Sequence, residues 1–481
     1  MSKPKKQKLA YRLAQQIARD ILDEGLEAAT PLGKEPALLI KYRVSRESFR
    51  EAVRILEWQG IAKSVRGPGG GLRVGSPASG AISNLLRDYL QLMDTSVEDL
   101  IEASRTLNTL TVKILSATLD SEGSIKLLAL TAERRKLHGS QKGELKALLN
   151  VFQEMGRLTS NPALALFMSP IIEVLTSMAL NARTYTKEVF ISEGRKSWLY
   201  ISKCIEAIIA GDDTTAVTYV NYYLDQIEQL MSAQDNQSSS SGKRKRKPKP
   251  PTWIKDNDSK MAQSFIYRLH RDIRAKQLQP GDRLGLETEL ILKYDISRSI
   301  LREAVCMLEI IGLVEQRKGR DGGLFVSTPD SSGIVSAISI FLGHMNFNYA
   351  KLSEARLAIE MRVAQLAAQN IDANNAKWLT EALELEQQAS DDTFIFAAGN
   401  IQITINKLAK NRVFSLYIDV MLASSIFKIE DRKKTRAALK NAEKIKHSHH
   451  LLAQAILDKN PSMASRRIIE HRKMITKLLK L

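Results

Sequence analysis

Two segments of this chain carry paired arginines at a spacing suited to reading the edges of DNA bases. Arg46 and Arg50 are four residues apart, and so are Arg298 and Arg302. Side chains four residues apart lie on one face of an α-helix. A guanidinium can donate two parallel hydrogen bonds to O6 and N7 of guanine in the major groove. Basic pairs at this spacing are common on exposed helices, so neither pair alone is strong evidence of DNA binding.

The sequence around the two arginine pairs is repeated. SRESFREAVRILEWQG occupies 45–60, and SRSILREAVCMLEIIG occupies 297–312, which is 252 residues further on. Ser45 and Ser297 stand where a helix N-cap belongs, just before the first arginine of each pair. Helical periodicity predicts that each segment buries one apolar face in a small core. The predicted apolar faces are Phe49, Val53 and Leu56 in the first segment, and Leu301, Val305 and Leu308 in the second.

A short β-like run with a glycine-rich turn follows each helix. The runs are RGPGGGLRV at 66–74 and KGRDGGLFV at 318–326. Glycines permit a tight hairpin turn, and Arg66, Lys318 and Arg320 place positive charge at the two tips. A glycine-rich phosphate loop is the rival interpretation, but no Gly-Lys-Ser/Thr follows and no helix begins there. A helix followed by a basic-tipped hairpin is the layout of a winged helix-turn-helix, here predicted twice.

Composition favours a helical protein with a polyanionic partner. The chain has 481 residues, 44% of them hydrophobic, and a formal net charge of +18. This charge favours nucleic acid as a partner, although a membrane surface or a simple effect on solubility remains open. Cys204 and Cys306 are the two cysteines, which excludes a disulfide framework or a thiolate metal cluster. No apolar run of transmembrane length and no secretory segment are seen, so we expect a cytoplasmic protein.

The chain reads as two halves with one plan. The stretch NQSSSSGKRKRKPKPP at 236–251 lacks periodicity and predicts a flexible basic linker. Three dipeptide or tripeptide matches support the repeat: Tyr11-Arg12-Leu13 with Tyr267-Arg268-Leu269, Lys41-Tyr42 with Lys293-Tyr294, and Ser76-Pro77 with Thr328-Pro329. The predicted fold is mainly α, with two winged helix-turn-helix domains, each followed by an all-helical bundle. The predicted boundaries are 1–78 and 79–235 for the first half, 236–256 for the linker, and 257–330 and 331–481 for the second half.

On these motifs the chain resembles the GntR family of bacterial transcription regulators, in the FadR-like branch with a helical C-terminal FCD domain. The resemblance covers two full-length copies of such a regulator in tandem. It implies that the helix-turn-helix hydroxyls, both arginines and the basic-glycine pair of the wing contact an operator. The implied residues are Ser45, Arg46, Ser48, Arg50, Arg66 and Gly67 in the first half, and Ser297, Arg298, Ser299, Arg302, Lys318 and Gly319 in the second.

One departure from the family pattern concerns these DNA contacts. The family usually has Glu-Arg early in the second helix, and that arginine also touches DNA. Here Glu35 is followed by Pro36, and Glu287 by Thr288. One expected contact is therefore missing at each site.

The resemblance also bears on metal binding. FCD domains commonly hold a divalent metal through an Asp and three His. His449 and His471 match the last two, but Ala398 and Gln402 stand at the positions of the others. In the first half, Ile201 and Tyr223 replace the late pair, and Phe152 or Gln153 replaces the first His. We therefore expect no tightly bound metal and no cofactor.

The effector pocket implied by the family lies in the second half. Arg356, in the EAR motif at 354–356, takes the position of the arginine that faces the effector carboxylate. His449 and His471 are its expected neighbours, although both could merely be polar residues lining a cavity or surface. In the first half the matching position is Ser104, with Arg105 shifted by one. A small organic acid, if one binds, should prefer the second half.

Three functional classes follow from these observations. The leading interpretation is a DNA-binding transcription regulator that reads two half-sites of an imperfect palindrome as an intrachain pseudo-dimer. Whether two chains pair further is left open. The alternative is a metabolite-sensing or protein-interaction module with only residual, non-specific DNA binding. An enzyme has little support, because no nucleophile-base arrangement and no complete metal set are evident.

Overall fold

A computed structural model describes most of the chain as helix with two small sheets. The residues it describes are 9–65, 67, 69–75, 79–93, 95–137, 141–181, 187–240, 258–317, 319, 322–328, 330–344, 349–429 and 432–479. The mainly helical fold class predicted from the sequence is confirmed. None of the described helices combines the length and apolar character needed to cross a bilayer.

The first half begins with a mixed segment and continues with helices. Its elements are α1 (Leu9–Asp23), β1 (Pro31–Gly33), α2 (Glu35–Tyr42), α3 (Arg46–Trp58), β2 (Ala62–Val65), β3 (Gly71–Val74), α4 (Ser79–Leu92), α5 (Val97–Thr118), α6 (Ser121–Leu137), α7 (Gln141–Leu158), α8 (Pro162–Asn181), α9 (Lys187–Ile209) and α10 (Asp213–Ser240). Helix α10 continues to residue 240, so the linker predicted to begin at 236 begins later. Residues 241–257 of that linker lie outside the described residues.

The second half repeats this order of elements. Its elements are α11 (Asp258–Ala275), β4 (Arg283–Gly285), α12 (Glu287–Tyr294), α13 (Arg298–Ile311), β5 (Val314–Arg317), β6 (Gly323–Val326), α14 (Ser332–His344), α15 (Tyr349–Asn370), α16 (Ala376–Gln387), α17 (Asp391–Ala409), α18 (Arg412–Ile429), α19 (Arg432–Lys440), α20 (Ala442–Leu457) and α21 (Pro461–Leu479).

The two sheets share their topology and register. The strand orders are β1-β3-β2 and β4-β6-β5, and every pairing is antiparallel. Ala62 pairs with Val74 in the first sheet, and Val314 pairs with Val326 in the second. Each of these positions recurs 252 residues later, the same interval that separates the two arginine segments. The predicted helix-plus-hairpin layout is therefore present at 9–74 and again at 258–326.

One predicted alignment of the two halves is wrong by a helical turn. Tyr42 donates to Asp20 at 2.7 Å, and Tyr294 donates to Asp272 at 2.7 Å, so the interval across α1 and α11 is again 252 residues. Tyr11 thus corresponds to Gln263 and not to Tyr267. A shift of four residues keeps the apolar face of a helix in place, so the sequence pattern alone does not distinguish the two registers.

The chain divides into two compact units that cut across the halves. The first unit comprises Met1–Met93 and Lys247–Asn346, and the second comprises Asp94–Arg246 and Phe347–Leu481. The two mixed α/β segments therefore share one unit, and the two helical regions share the other. Sequence order alone would have left each α/β segment grouped with the helices that follow it.

Within the first unit, the opening helix of each half contacts the connecting helix of the other. The Tyr11 hydroxyl on α1 donates to the carbonyl oxygen of Gly333 on α14 at 2.8 Å. One turn along, the Gln15 amide donates to the Ser336 hydroxyl at 2.6 Å. These two hydrogen bonds fasten α14 of the second half to α1 of the first.

The reciprocal contact joins α11 to α4. At the positions that match Tyr11 and Gln15, Gln263 and Tyr267 both donate to Asp88, each at 3.0 Å. The Asp88 side chain is 1% exposed and is also paired with Arg87 at 2.9 Å. A buried carboxylate with three donors is well compensated. The tyrosine and the glutamine have exchanged places between the halves, but each pair still contacts the opposite connecting helix.

Within the second unit, equivalent positions of the two halves meet each other. The rings of Phe167 on α8 and Tyr417 on α18 stack with centroids 4.0 Å apart, and the Tyr417 hydroxyl donates to the Phe167 carbonyl oxygen at 3.0 Å. Both side chains are fully buried. The interval between them is 250 residues, close to the 252 of the α/β segments.

A second pair of contacts in this unit is reciprocal. The Asn161 amide before α8 donates to the Lys351 carbonyl oxygen on α15 at 2.7 Å. The Asn411 amide before α18 donates to the Asp99 carbonyl oxygen on α5 at 3.3 Å. Asn161 and Asn411 differ by 250 residues and Asp99 and Lys351 by 252, so the same bond is made in both directions.

Candidate nucleic-acid interface

Helices α3 and α13 are called here the recognition helices, after the DNA-reading role that the sequence predicts for them. Each begins at the serine predicted to cap it. The Ser45 hydroxyl accepts from the Ser48 backbone N–H at 3.2 Å, and Ser297 accepts from the Ile300 N–H at 3.3 Å. Ser299 exchanges a hydrogen bond of 2.8 Å with Ser297. Both N-cap predictions are confirmed. The caps fix the direction in which each first helical turn projects its side chains.

The predicted apolar faces of these helices are also confirmed. Phe49, Val53 and Leu56 are buried under α3. Leu301 and Leu308 are buried under α13, whereas Val305 is half-buried. Burial on one side leaves the arginines on the opposite, exposed side of each helix.

A glutamate at the start of α2 contacts both arginines of the first recognition helix. The Glu35 Oε1 atom lies 3.0 Å from Nε of Arg46 and 3.3 Å from Nε of Arg50. Pro36 occupies the first turn of α2, where its missing N–H costs no helical hydrogen bond. Thus the dipeptide that replaces the family's Glu-Arg keeps the glutamate and uses it to hold the two arginines together.

The second recognition helix repeats this arrangement. The Glu287 Oε1 atom lies 2.9 Å from Nε of Arg298 and 3.3 Å from Nε of Arg302. All four arginines meet their glutamate through Nε, and about half or more of each side chain is exposed. An arginine held through Nε still has two terminal amino groups, the pair that suits guanine. Glu35 and Glu287 recur at the 252-residue interval, and this recurrence was the feature of the sequence that could have indicated their contact with the arginines.

The wings have the turn geometry that their glycines predicted. Gly67 and Gly319 are exposed and have φ values of 97° and 112°, a region that favours glycine. The charged tip residues named from the sequence, Arg66, Lys318 and Arg320, lie outside the described residues. Arg73 was not predicted from the sequence: its guanidinium donates to the carbonyl oxygens of Ala29 and Gly69 and so braces the first wing.

The second wing is braced differently. The Arg317 guanidinium lies over the ring of Phe325, 4.2 Å from its centroid. A cation over an aromatic face stabilises a hairpin by about 0.5–1 kcal/mol at an exposed site. Each wing therefore has a strand arginine that braces the hairpin, but the two arginines are held by different partners.

Both recognition helices line one cavity of about 920 Å³ within the first unit. From α3 it is lined by Arg46, Arg50 and Arg54, and from α13 by Arg302 and Cys306, among others. Arg54 is exposed, and its counterpart at the 252-residue interval is Cys306. The two helices thus face a common space but present different side chains to it.

A buried cluster of charged side chains occupies the helical region of the second half. Arg356 on α15 and Arg472 on α21 contact the same carboxylate, that of Glu360, at 2.7 and 2.8 Å. Glu360 is 1% exposed and Arg356 is 8% exposed. The position predicted to face an effector carboxylate is therefore already next to an internal one.

Two histidines lie in the same helical region. The His449 and His471 rings are 4.6 Å apart, and Nδ1 of His449 is 2.7 Å from Oε1 of the buried Glu386. Burial, and then nearby His449, Arg472 and Arg356, hold the pKa of His471 well below its ordinary 6.5. The His471 imidazole is therefore neutral at pH 7. The structure thus brings both predicted histidines together. It also adds the buried Glu386 as the partner of His449, a residue that the sequence did not single out.

The matching place in the first half carries uncharged polar side chains. Ser104 and Asn108 stand where the second half has Arg356 and Glu360, and the Asn108 amide donates to the Ser104 hydroxyl at 3.0 Å. Arg105 turns away and contacts Asp225 on α10 at 2.8 Å. Within the part of the chain described, no group of three or more His, Cys, Asp or Glu side chains is placed to hold a metal ion.

Comparison with known families identifies domains in the second half. Residues 262–326 match the model of the bacterial regulatory proteins of the gntR family, and residues 351–473 match the FCD domain. Residues 262–473 therefore contain a GntR-type DNA-binding domain followed by an FCD domain. Both matched ranges lie in the second half, and the tandem duplication of a whole regulator stays a prediction from the repeated sequence.

Curated relatives and solved structures match about one regulator length. The HTH-type transcriptional repressor NanR of Salmonella arizonae and that of Salmonella typhimurium are each 25% identical to the chain over 218 residues, covering 44% of this chain and 81% of the relative. The Streptococcus agalactiae GntR structure is 22% identical with a TM-score of 0.36, covering 45% of this chain and 99% of its own. The Escherichia coli McbR/YncC structure is 15% identical with a TM-score of 0.25, covering 46% and 97%.

Proposed function

We propose that this chain is a sequence-specific DNA-binding transcription regulator in which the two halves form an intrachain pseudo-dimer. One observation carries the proposal: two capped helices, each with a Glu-held arginine pair, line a common cavity in one compact unit. The GntR-type domain at 262–326 and the names of the curated relatives support the same class. The DNA-contacting residues are proposed to be those carried over from the family, with the wing tips included.

The contacts between equivalent positions support the pseudo-dimer. In a two-fold interface the same surface is used by both partners, so a residue near the axis meets its own counterpart. Phe167 and Tyr417 do this, and the Asn161 and Asn411 bonds are made reciprocally. The curated relatives align with 44% of this chain, which leaves room for a second regulator-length half. Such a chain needs no second copy to present two recognition helices.

The two recognition helices differ in ways that favour an imperfect palindrome. Glu47 and Arg54 of α3 correspond to Ser299 and Cys306 of α13. A glutamate can accept from the cytosine N4 amine but repels phosphate, whereas a serine does neither strongly. We therefore expect the two half-sites to have the same bases at the positions contacted by the arginine pairs. They should have different bases at the positions that face Glu47 and Arg54 in one half and Ser299 and Cys306 in the other.

We propose that any effector response is confined to the second half. Arg356, His449 and His471 line a buried polar region there, whereas the first half has Ser104 and the apolar or aromatic Ile201 and Tyr223. A small organic acid that binds must compete with Glu360 for the guanidinium of Arg356, which makes the response weak. Since relatives are named as repressors and no catalytic arrangement is evident among the described residues, no enzymatic activity is proposed.

Selection of genomic fragments by the full-length chain at physiological salt tests the DNA assignment. We expect enrichment of one operator class, and a loss of specific affinity of about 1–3 kcal/mol for Arg46→Ala or Arg302→Ala. Glu384→Ala, an exposed change in the second unit, is the matched control. Only weak, sequence-indifferent and salt-labile binding would instead favour the metabolite-sensing alternative.

A further inference from the structure

A closely packed contact between Tyr11, Gly333 and Ile310, called here the junction, links the two recognition helices inside the first unit. The Tyr11 hydroxyl donates to the carbonyl oxygen of Gly333 at 2.8 Å. On its other side Gly333 is pressed against the last turn of α13, since a Cβ added there would lie 2.2 Å from the Ile310 carbonyl oxygen. Gly333 is therefore held between the first helix of one half and the recognition helix of the other.

The junction is connected to both recognition helices by packed structure. Helix α1, which carries Tyr11, packs against α3 through its buried face. Ile310 belongs to α13 itself. The path from one arginine pair to the other thus runs through α3, α1, Tyr11, Gly333 and α13, and every step is a close contact. Tyr11 and Gly333 also line the cavity between the recognition helices.

Tyr11 is held firmly in this junction. Burial is the largest cause that raises its pKa to about 12, so its hydroxyl stays protonated and remains a donor. The neighbouring Gln15 to Ser336 bond of 2.6 Å holds α14 at a second point, one turn away. Two hydrogen bonds at successive turns fix both the distance and the rotation of α14 relative to α1.

The reciprocal contact on the opposite side uses a side-chain acceptor, as far as the described residues show it. There Gln263 and Tyr267 donate to the side chain of Asp88, not to a backbone carbonyl. The acceptor there is a side chain, whereas the Gly333 carbonyl belongs to the backbone and cannot move without shifting α14. The link through Gly333 therefore acts directly on the backbone of α14.

We propose that the Tyr11–Gly333–Ile310 junction sets the separation of the two recognition helices and so determines which half-site spacing the chain accepts. The inference rests on the proposed function as a DNA-binding pseudo-dimer. Inserting one base pair between half-sites adds about 3.4 Å and rotates one half-site by about a tenth of a turn. A rigid junction cannot follow that change, so the native chain should discriminate strongly between spacings.

The test is a binding series on one selected operator whose central spacer is lengthened or shortened by single base pairs. The full-length chain, Gly333→Ala and Tyr11→Phe are compared at fixed salt. Alanine at 333 must push Ile310 away by roughly an ångström, and phenylalanine at 11 removes the hydrogen bond alone. We expect the preference for the best spacing over its neighbours to fall about fivefold in Tyr11→Phe, the effect of one neutral hydrogen bond, and the best spacing to shift or broaden in Gly333→Ala.

Matched controls separate spacing from folding and from affinity. Gly399→Ala replaces a helical glycine with open space around it, and Tyr222→Phe alters an exposed tyrosine; both should leave the spacing profile unchanged. Arg46→Ala should lower affinity at every spacing without moving the optimum. If Gly333→Ala does not fold, Tyr11→Phe still decides the question.

Two results would overturn the inference, and they differ. If the native chain binds an operator specifically but both junction variants keep its spacing profile, the junction does not set the separation and the proposed function stands. If the native chain shows no specific operator at all, the proposed function fails and the inference fails with it.

Discussion

Replacing Glu287 by glutamine should weaken specific DNA binding more than non-specific binding. The Glu287 carboxylate contacts Nε of Arg298 at 2.9 Å and Nε of Arg302 at 3.3 Å. It contributes negative charge next to the proposed DNA-binding surface, which by itself would oppose phosphate. Its benefit must therefore come from holding the two guanidinium groups in a fixed orientation before DNA arrives.

The magnitude follows from the exposure of the three side chains. Arg298 is 62% exposed, Arg302 48% and Glu287 28%. Ion pairs this exposed are worth about 0.2–1 kcal/mol each because water and salt screen them. Together the two ion pairs stabilise the binding orientation of the arginines by about 1 kcal/mol. Their loss in Glu287→Gln should therefore lower specific affinity about fivefold. Non-specific affinity should stay constant or rise, since one repulsive charge has gone.

The assay is a titration of the selected operator and of a scrambled duplex across a range of salt concentrations. The ratio of the two affinities should fall in Glu287→Gln and in Glu35→Gln, but not in Glu384→Gln, which removes the same charge from an exposed site in the second unit. A Glu287→Gln variant with unchanged or higher operator affinity and an unchanged ratio would show that the glutamate does not position the arginines.

Three further outcomes follow from buried groups of the second unit. Tyr417→Ala removes a fully buried ring stacked on Phe167 and should lower the free energy of unfolding by about 3–5 kcal/mol, measured by denaturant titration; a loss below about 1 kcal/mol would contradict the packing. His471 has a lowered pKa in the folded chain, so the unfolded chain binds more protons below pH 6.5 and stability falls as the pH drops. Asp419, whose pKa is raised to about 6, has the opposite effect on stability between about pH 4 and 6, so the contribution of His471 is measured by comparing the native chain with His471→Gln. As the pH falls, the free energy of unfolding of His471→Gln should decrease by up to about 1.4 kcal/mol less per pH unit than that of the native chain. Parallel pH profiles of the two proteins would show that His471 does not contribute. Glu360→Gln should raise the affinity of a small carboxylate probe such as pyruvate, seen as a ligand-dependent rise in Tm absent from the native chain, and no such rise would argue against a carboxylate site at Arg356.

The local structure of the recognition helices could be predicted from the sequence because its causes are local. A serine before a helix caps it, and apolar residues at helical spacing choose the buried face. Ser45, Ser297 and the faces containing Phe49 and Leu308 therefore needed no tertiary information. The glycine-rich turns were predictable for the same reason, since a positive φ strongly favours glycine.

The roles that depend on distant segments could not be predicted in this way. Glu35 and Glu287 looked like remnants of a missing DNA contact, because the sequence does not show that a side chain from the preceding helix reaches both arginines. The register of α1 against α11 was wrong by four residues, since one helical turn preserves the apolar pattern. The sharing of one unit by both α/β segments depends on reciprocal contacts such as Tyr11 with Gly333, far apart in sequence.

In the proposed intrachain pseudo-dimer, the two halves are free to diverge in sequence. In a homodimer a substitution is repeated at both symmetric positions, so a change that suits one half-site is imposed on the other. In this chain Arg54 faces the cavity from α3 while Cys306 holds the matching place on α13, and Arg356 is buried beside Glu360 where the first half has Ser104. Covalent linkage also keeps the two recognition helices at a high effective concentration, independent of the amount of protein. In the proposed pseudo-dimer, the operator is therefore free to be asymmetric, and we expect the affinity for it not to depend on a dimerisation step.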